Sequence, residues 1–167
     1  ASRFPDASAE AFAEWQDQTR TKLWAWLMGG GRPEPVDPAP ACEKVDETDA
    51  FDLYQLTYRA RTDRTPSALL SLPKGIDHPA PLILALHGHE AAWGGADPGA
   101  FTPGHNDDFC HHFASRGYAV LQPPTLDHTL QDPDWTLLGE WSWDAIAALY
   151  AVEDRPEIDM GRAAAMG

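Results

Sequence analysis

Two histidines and a glutamate, His87, His89 and Glu90, directly follow an apolar run at residues 81–86, and Gly88 lies between the histidines. A short run of this kind is typical of a strand buried in a parallel sheet. Ligands of α/β proteins bind at the carboxyl ends of such strands. A glycine there permits a sharp turn, so the N–H groups that follow can point into a crevice and stabilise a developing oxyanion. The pattern therefore predicts a catalytic turn whose donors are the backbone N–H groups of His89 and Glu90.

The side chains of this turn each allow two interpretations. His87 holds the turn by bonding backbone groups through its ring nitrogens, or it lines a substrate pocket together with Gly88. His89 contacts a substrate through its backbone or through its imidazole, and Glu90 either lines the pocket or is solvated. The sequence leaves these alternatives open, and the backbone donors are the stronger expectation.

Three residues elsewhere are further candidates for substrate contact: Trp93, His128 and Trp141. His128 follows a second buried strand and can reach the pocket from its rim. Trp93 lies in a predicted loop and Trp141 at a helix start, where an aromatic wall for a substrate can form. Glu140, in the same helix start, is first an acid that complements the helix dipole and only second a site residue.

A second set of polar residues contains every ligand type that zinc or iron accepts. The set comprises His105, Asp107, Asp108, Cys110, His111 and His112. Asp107 with His111 has the i, i+4 spacing of helical metal sites, as does Asp108 with His112, but the two pairs point in different directions. The helix dipole explains both acids without a metal. We therefore predict no metal and no cofactor, and a metal-dependent hydrolase that uses this cluster remains an alternative.

The composition limits the class of protein and its partners. The chain has 167 residues, enough for one domain with a substantial core, and a formal net charge of −14. This charge repels nucleic acid phosphate and anionic membrane surfaces, and no apolar run reaches the roughly 20 residues of a membrane span. Cys42 and Cys110 are expected to be ordinary thiols, which favours a reducing, cytoplasmic compartment. A secreted location stays open because the chain begins at Ala1 rather than Met, and the oligomeric state is also open.

The first 41 residues predict a helix and a connector. Residues 8–28 place aromatic and leucine side chains near helical spacing, with Ser8 as N-cap and three glycines from Gly29 at the end. The proline-rich stretch that follows suits neither a helix nor a central strand. We therefore assign residues 1–41 to an N-terminal aromatic helix with its connector.

Residues 42–167 predict the main α/β domain. Apolar residues alternate with period two up to residue 72, which indicates two or three antiparallel strands. Strand, helix, strand, helix and strand follow, with Asn106 as the cap of the first of these helices. The predicted fold class is α/β: a mixed sheet of antiparallel front strands and parallel rear strands, flanked by helices and preceded by the N-terminal helix.

The ordered set of elements resembles the first half of an α/β-hydrolase. The matching features are a strand followed by HG, a helix, a strand ending in PP, a second helix, and the final stretch IDMGRAAAMG. The last stretch fits the pattern D-x-x-R-apolar-x-x-x-G at Asp159, Arg162 and Gly167, which leads into the nucleophile elbow G-x-S-x-G. The stretch EWQDQTRTKL also resembles the leader helix of the dienelactone hydrolase and acetyl xylan esterase-like branch.

The resemblance implies a serine-type carboxylic ester hydrolase, acting on a small ester such as an acylated carbohydrate, with part of its oxyanion hole in the HG turn. The sequence stops at Gly167, where the first elbow glycine is expected, and the nucleophile, acid and catalytic histidine of the family come later. We therefore expect an amino-terminal portion, incomplete at its C-terminus and inactive alone, whose partner is the rest of the hydrolase domain. The alternative is a non-catalytic binding module that uses its bare edge strand to dock a partner.

Overall fold

The computed structural model describes residues 8–86, 109–123 and 130–167. The chain forms two compact units, Ala1–Glu34 with Thr129–Ser142 and Pro35–His128 with Trp143–Gly167. The boundary predicted after residue 41 stays a prediction. Within the described residues, no helix is long and apolar enough to cross a membrane.

The first unit contains helix α1 (Ala9–Met28), and both ends of this helix form as predicted. The Ser8 hydroxyl accepts a hydrogen bond from the N–H of Ala11 at 3.2 Å. Gly29 adopts a left-handed conformation (φ 70°), and a Cβ atom at this position would lie 2.6 Å from the carbonyl oxygen of Asp134. Glycine is therefore required at the end of α1 by both conformation and space.

The second helix, α2 (Leu137–Val152), begins three residues before the predicted start at Glu140. The hydroxyl of Thr136 accepts a hydrogen bond from the N–H of Gly139 at 3.0 Å and acts as the N-cap. The Thr136 N–H also donates to the carbonyl oxygen of Leu27 at 2.8 Å, which fixes the helix start against the end of α1 within the first unit.

The second unit contains a mixed sheet, as predicted. Its six strands within the described residues are β1 (Ala41–Glu47), β2 (Phe51–Thr57), β3 (Ser67–Pro73), β4 (Ala80–Ala85), β5 (Ala119–Gln122) and β6 (Ile158–Met166). The spatial order is β1-β2-β3-β5-β4-β6. Strands β1, β2 and β3 form the antiparallel front, β5 pairs with β3 in antiparallel fashion, and β4 pairs with both β5 and β6 in parallel fashion.

The helix predicted between β4 and β5 is described only from Phe109 onward. Residues Cys110–Ala114 form a π-helix, in which each backbone bond spans five residues rather than four. Gly117 (φ 89°) ends the turn that leads into β5. The predicted cap, Asn106, lies outside the described residues.

The core of the second unit lies on both faces of the central strands. Buried apolar side chains on one face form a cluster with residues of the π-helix segment: Phe51, Leu53, Leu69, Ala85, Phe109, Ala114 and Val120. On β4 and β5, Leu82 and Leu121 are fully buried. Burial of these central strands accounts for their continuous apolar sequence.

Candidate functional site

The three parallel strands end at one edge of the sheet, and their residues are in register. Leu84 of β4 pairs with Leu121 of β5 on one side and with Ala165 of β6 on the other. Neighbouring strands in a sheet lie about 4.8 Å apart. The chain therefore leaves β4 and β6 at adjacent points of the carboxyl edge, where α/β proteins bind ligands.

The ends of β4 and β6 approach each other closely. The N–H of Leu86 donates to the carbonyl oxygen of Met166 at 2.8 Å, so the pairing continues to the last residue of β6. A Cβ atom at Gly167 would lie 2.8 Å from the carbonyl oxygen of Leu86 and 3.2 Å from its Cβ. Because that oxygen is a backbone atom, a side chain at position 167 would require the chain at Leu86 to shift.

Most of the predicted site residues cannot be placed against this edge. His87, Gly88, His89, Glu90, Trp93 and His128 lie outside the described residues, and their roles stay predictions. Trp141 lies on α2, half-buried within the first unit. What the structure adds is the position of Leu86, the residue from which the predicted turn starts.

The second polar set is also described only in part. His105, Asp107 and Asp108 lie outside the described residues, while His112 is exposed on the π-helix. Among the side chains that the structure describes, which do not include those of Cys110 and His111, no group of three or more His, Cys, Asp or Glu is placed to hold a metal ion. The metal alternative therefore depends on side chains outside the described ones.

The sequence analysis missed a buried ion pair that joins α2 to the turn between β2 and β3. The Arg64 guanidinium donates to both oxygens of Asp144, Nε to Oδ1 at 2.9 Å and Nη2 to Oδ2 at 2.6 Å. The side chains are only 8% and 1% exposed. The signal was Asp144 itself, a carboxylate among apolar residues of a predicted helix, which is stable in a core only when it is paired.

Two further polar contacts surround this pair. The Tyr58 hydroxyl donates to the carbonyl oxygen of Asp144 at 2.9 Å, and the Trp143 indole N–H donates to the carbonyl oxygen of Ala60 at 2.9 Å. Burial, and secondarily the Asp144 carboxylate, raises the pKa of Tyr58 well above its ordinary value. Tyr58 therefore stays a neutral donor, and the cluster anchors α2 rather than performing chemistry.

Glu140 lies in the first turn of α2, as predicted, and has a further role that the sequence did not indicate. Its side chain is 1% exposed, and its Oε1 accepts hydrogen bonds from the N–H groups of Gln131 and Asp132 at 3.0 and 2.8 Å. A carboxylate that accepts two backbone donors fixes the segment that carries them. Glu140 thus orders the segment that enters α2, in addition to lying in the first turn of that helix.

Solved structures identify the architecture. A protein from Bacteroides fragilis NCTC 9343 assigned as an acetyl xylan esterase matches with a TM-score of 0.73 and 20% identity, over 96% of this chain and 48% of its own. A glucuronoyl esterase from Solibacter usitatus matches with a TM-score of 0.68 and 16% identity, over 96% and 53%. Acetyl xylan esterase 1 from Thermoanaerobacterium sp. JW/SL YS485 matches with a TM-score of 0.61 and 18% identity, over 90% and 49%. The chain has an α/β-hydrolase-like fold.

This α/β-hydrolase-like chain spans about half the length of the structures it matches. No protein-family model matches it, and no curated protein matches it by sequence. At identities of 16–20% the structural matches establish the fold alone. The fold agrees with the predicted class, and the activity has to be argued from the site.

Proposed function

We propose that this chain is the amino-terminal portion of a serine-type carboxylic ester hydrolase that acts on an acyl group carried by a carbohydrate. The proposal rests on the adjacency of Leu86 and Gly167 at the carboxyl edge of parallel strands β4 and β6. An ester hydrolase needs a nucleophile and oxyanion donors around one carbonyl group. Two chain segments that leave the sheet side by side can supply both.

In the proposed mechanism the nucleophile is a serine that follows Gly167 in a G-x-S-x-G elbow. A later histidine takes the serine proton as the serine attacks the ester carbonyl, and an acid orients that histidine. The N–H groups of His89 and Glu90 donate to the oxyanion of the tetrahedral intermediate. His87, Gly88, Trp93, His128 and Trp141 are the proposed substrate contacts, and no cofactor takes part.

The substrate class is proposed from the names of the matched structures, which are acetyl xylan and glucuronoyl esterases. The proposed partners are a small-molecule ester and the remainder of the hydrolase domain after Gly167, and neither nucleic acid nor a membrane is a proposed partner. The proposed location is cytoplasmic. Without a nucleophile the 167-residue chain has no turnover of its own.

Activity of the longer polypeptide tests the proposal. We expect it to hydrolyse acetylated xylan or 4-nitrophenyl acetate, and we expect Ser→Ala in the elbow to lower kcat by at least about 10⁴-fold. The 167-residue chain is the matched control and should show no burst and no turnover. A longer polypeptide that is folded but inactive on acyl esters would contradict the proposal.

A pair of variants separates backbone from side-chain catalysis in the turn. Because the proposed donors are peptide N–H groups, we expect His89→Ala to lower kcat by less than about tenfold, against 10²–10³-fold for loss of an oxyanion donor. Glu90→Ala should behave like His89→Ala. A loss of more than about 10²-fold in either variant would assign the donor or base to a side chain.

A further inference from the structure

Strand β4 stays paired with one of its neighbours for longer than with the other. On the β6 side the pairing continues to Ala85 with Met166, and the N–H of Leu86 donates to the carbonyl oxygen of Met166 at 2.8 Å. On the β5 side the last paired residues are Leu84 and Leu121. The end of β4 is therefore released by β5 before it is released by β6.

Pro123 accounts for the early end of the β4–β5 pairing. Successive residues of a strand direct their peptide groups to alternate neighbours, so the Leu86 N–H that faces β6 leaves the carbonyl group of Ala85 facing β5. One more residue in the same register sets Ala85 beside Gln122, and the donor to its carbonyl oxygen would be the N–H of residue 123. Residue 123 is proline, which has no N–H. The ladder on this side therefore cannot continue.

Polar groups are buried where this ladder stops. Ala85 is fully buried, and buried carbonyl groups are nearly always hydrogen-bonded. Gln122, the last residue of β5, is only 2% exposed. Its side chain shares a face with that of Val120, a member of the apolar cluster, because side chains alternate along a strand. A carboxamide offers two donors and an acceptor, so the end of β5 can bond peptide groups that no ladder holds.

We propose that Gln122 and Pro123 are positioning residues for the turn that follows β4 in the proposed esterase. Pro123 withholds the last ladder donor from Ala85, so the chain after β4 is held on the β6 side alone. The Gln122 carboxamide fixes peptide groups at the point where the chain leaves the sheet. The inference rests on the proposed function, because it assigns a role within the same site.

Release on one side suits a turn that stabilises an oxyanion. A ladder bond holds an N–H group toward the neighbouring strand, so donors can point at an oxyanion only where the chain has left the ladder. The bond that remains on the β6 side keeps the start of the turn beside Gly167, where the proposed nucleophile elbow begins. Oxyanion donors and nucleophile have to face the same carbonyl group. The unequal release of β4 meets both requirements.

A purely structural role for Pro123 makes a different forecast. If the proline only ends β5, an N–H group restored at position 123 changes the stability of the protein and leaves catalysis as it was. In the proposed role, the restored N–H bonds the carbonyl oxygen of Ala85 and extends the ladder, which turns the peptide groups of the turn away from the oxyanion. The fold is then kept while kcat falls, because the lost interaction is made only in the transition state.

Pro123→Ala in the longer polypeptide tests this role, with Pro124→Ala as the matched control. We expect the new amide at position 123 to be protected from hydrogen exchange by more than about 10²-fold, because it bonds Ala85. We expect kcat on 4-nitrophenyl acetate to fall by more than about tenfold, with KM changed by less than about threefold. Pro124→Ala should keep kcat within about twofold of the unaltered protein.

Several results would overturn the inference. One is a protected amide at position 123 with unchanged kcat, and another is a new amide that exchanges freely. If Pro123→Ala does not fold, Pro123→Val also restores the N–H and suits a strand, and failure of both variants to fold would assign Pro123 to the fold alone.

Gln122→Met tests the second residue, because it removes the carboxamide and leaves a flexible side chain that fills the same space. We expect it to lower kcat with little change in KM, and an unchanged kcat would remove Gln122 from the role. An unaltered protein without esterase activity would refute the proposed function and this role together. Each of the other contrary results would refute the positioning role alone.

Discussion

Strands β4 and β6 are parallel neighbours, yet most of β4 is buried and most of β6 is exposed. Leu82 and Ala85 of β4 are fully buried, whereas β6 is exposed from Gly161 to its end. Among the strands of residues 8–86, 109–123 and 130–167, β4 lies between β5 and β6, whereas β6 has a neighbouring strand on one side only. An apolar run therefore predicts a strand, but neighbouring elements decide whether that strand is buried.

Two Arg–Asp pairs of the second unit also differ in burial. Arg64 and Asp144 form a buried pair between α2 and the turn that follows β2, while Arg162 and Asp159 lie at the start of β6, where their side chains are 55% and 34% exposed. Both pairs have a shortest contact of 2.6 Å. The shortest contacts are equal, but the buried pair is bidentate, whereas Arg162 contacts Asp159 through Nε alone. The two pairs therefore differ in both burial and geometry.

The largest expected effect is a loss of stability when the buried Arg64–Asp144 pair is broken. Asp144→Asn should lower the free energy of unfolding by about 3–5 kcal/mol, because it leaves the Arg64 charge buried without its counter-charge. Asp159→Asn is the matched control and should leave the urea midpoint nearly unchanged, because solvent screens that pair. Similar losses in the two variants, measured by urea unfolding, would show that burial does not separate the pairs.

A smaller effect on the free energy of unfolding is expected from substitutions in strands β4 and β6. Leu82→Ala on β4 should cost about 2–5 kcal/mol, the range for removing a buried leucine side chain. Ala164→Ser on β6 should stay within about 0.5 kcal/mol, as surface substitutions usually do. If Ala164→Ser in the 167-residue chain proves as costly as Leu82→Ala, β6 is already covered and the contrast fails.

The smallest expected effect is a loss of amide protection in β6 at acidic pH. The hydrogen bond from Arg162 lowers the pKa of Asp159, and desolvation opposes this shift. Because the pKa of Asp159 is lower in the folded state, its carboxylate stabilises β6 at pH values above the ordinary aspartate pKa near 3.9. This contribution is lost as the pH falls through the lower pKa of the folded state. Below about pH 4, amide protection of β6, corrected for intrinsic exchange, should therefore fall more than that of β4. Asp159→Asn should remove this extra acid dependence, and a parallel decline of both strands would contradict it.

Local sequence signals predicted the helices and strands well, but they predicted the tertiary contacts of these elements poorly. Ser8 and Gly29 act within one helical turn, and both caps formed as expected. The start of α2 was wrong by three residues because Thr136, which lies before the predicted helix, supplies the cap. The pairing of Arg64 with Asp144 spans 80 positions, and no local pattern encodes it.

The sequence predicted a position for the candidate site, at the carboxyl edge of the sheet, but not the orientation of its groups. The end of β4 lies at the carboxyl edge of the parallel strands, as the apolar run indicated. Its position beside the end of β6 is known from the fold alone. The preference for glycine at position 167 follows from the carbonyl of Leu86, which only the folded structure places there. The directions of the His89 and Glu90 N–H groups stay predictions.

Covalent labelling of the longer polypeptide with a fluorophosphonate tests the central claim most directly. We expect a single adduct, mapped by peptide mass spectrometry to a serine two positions after Gly167, with loss of esterase activity in proportion to labelling. The peptide that carries residues 81–90 should stay unmodified. An adduct at another position, or full activity after complete labelling, would contradict a nucleophile held beside the end of β4.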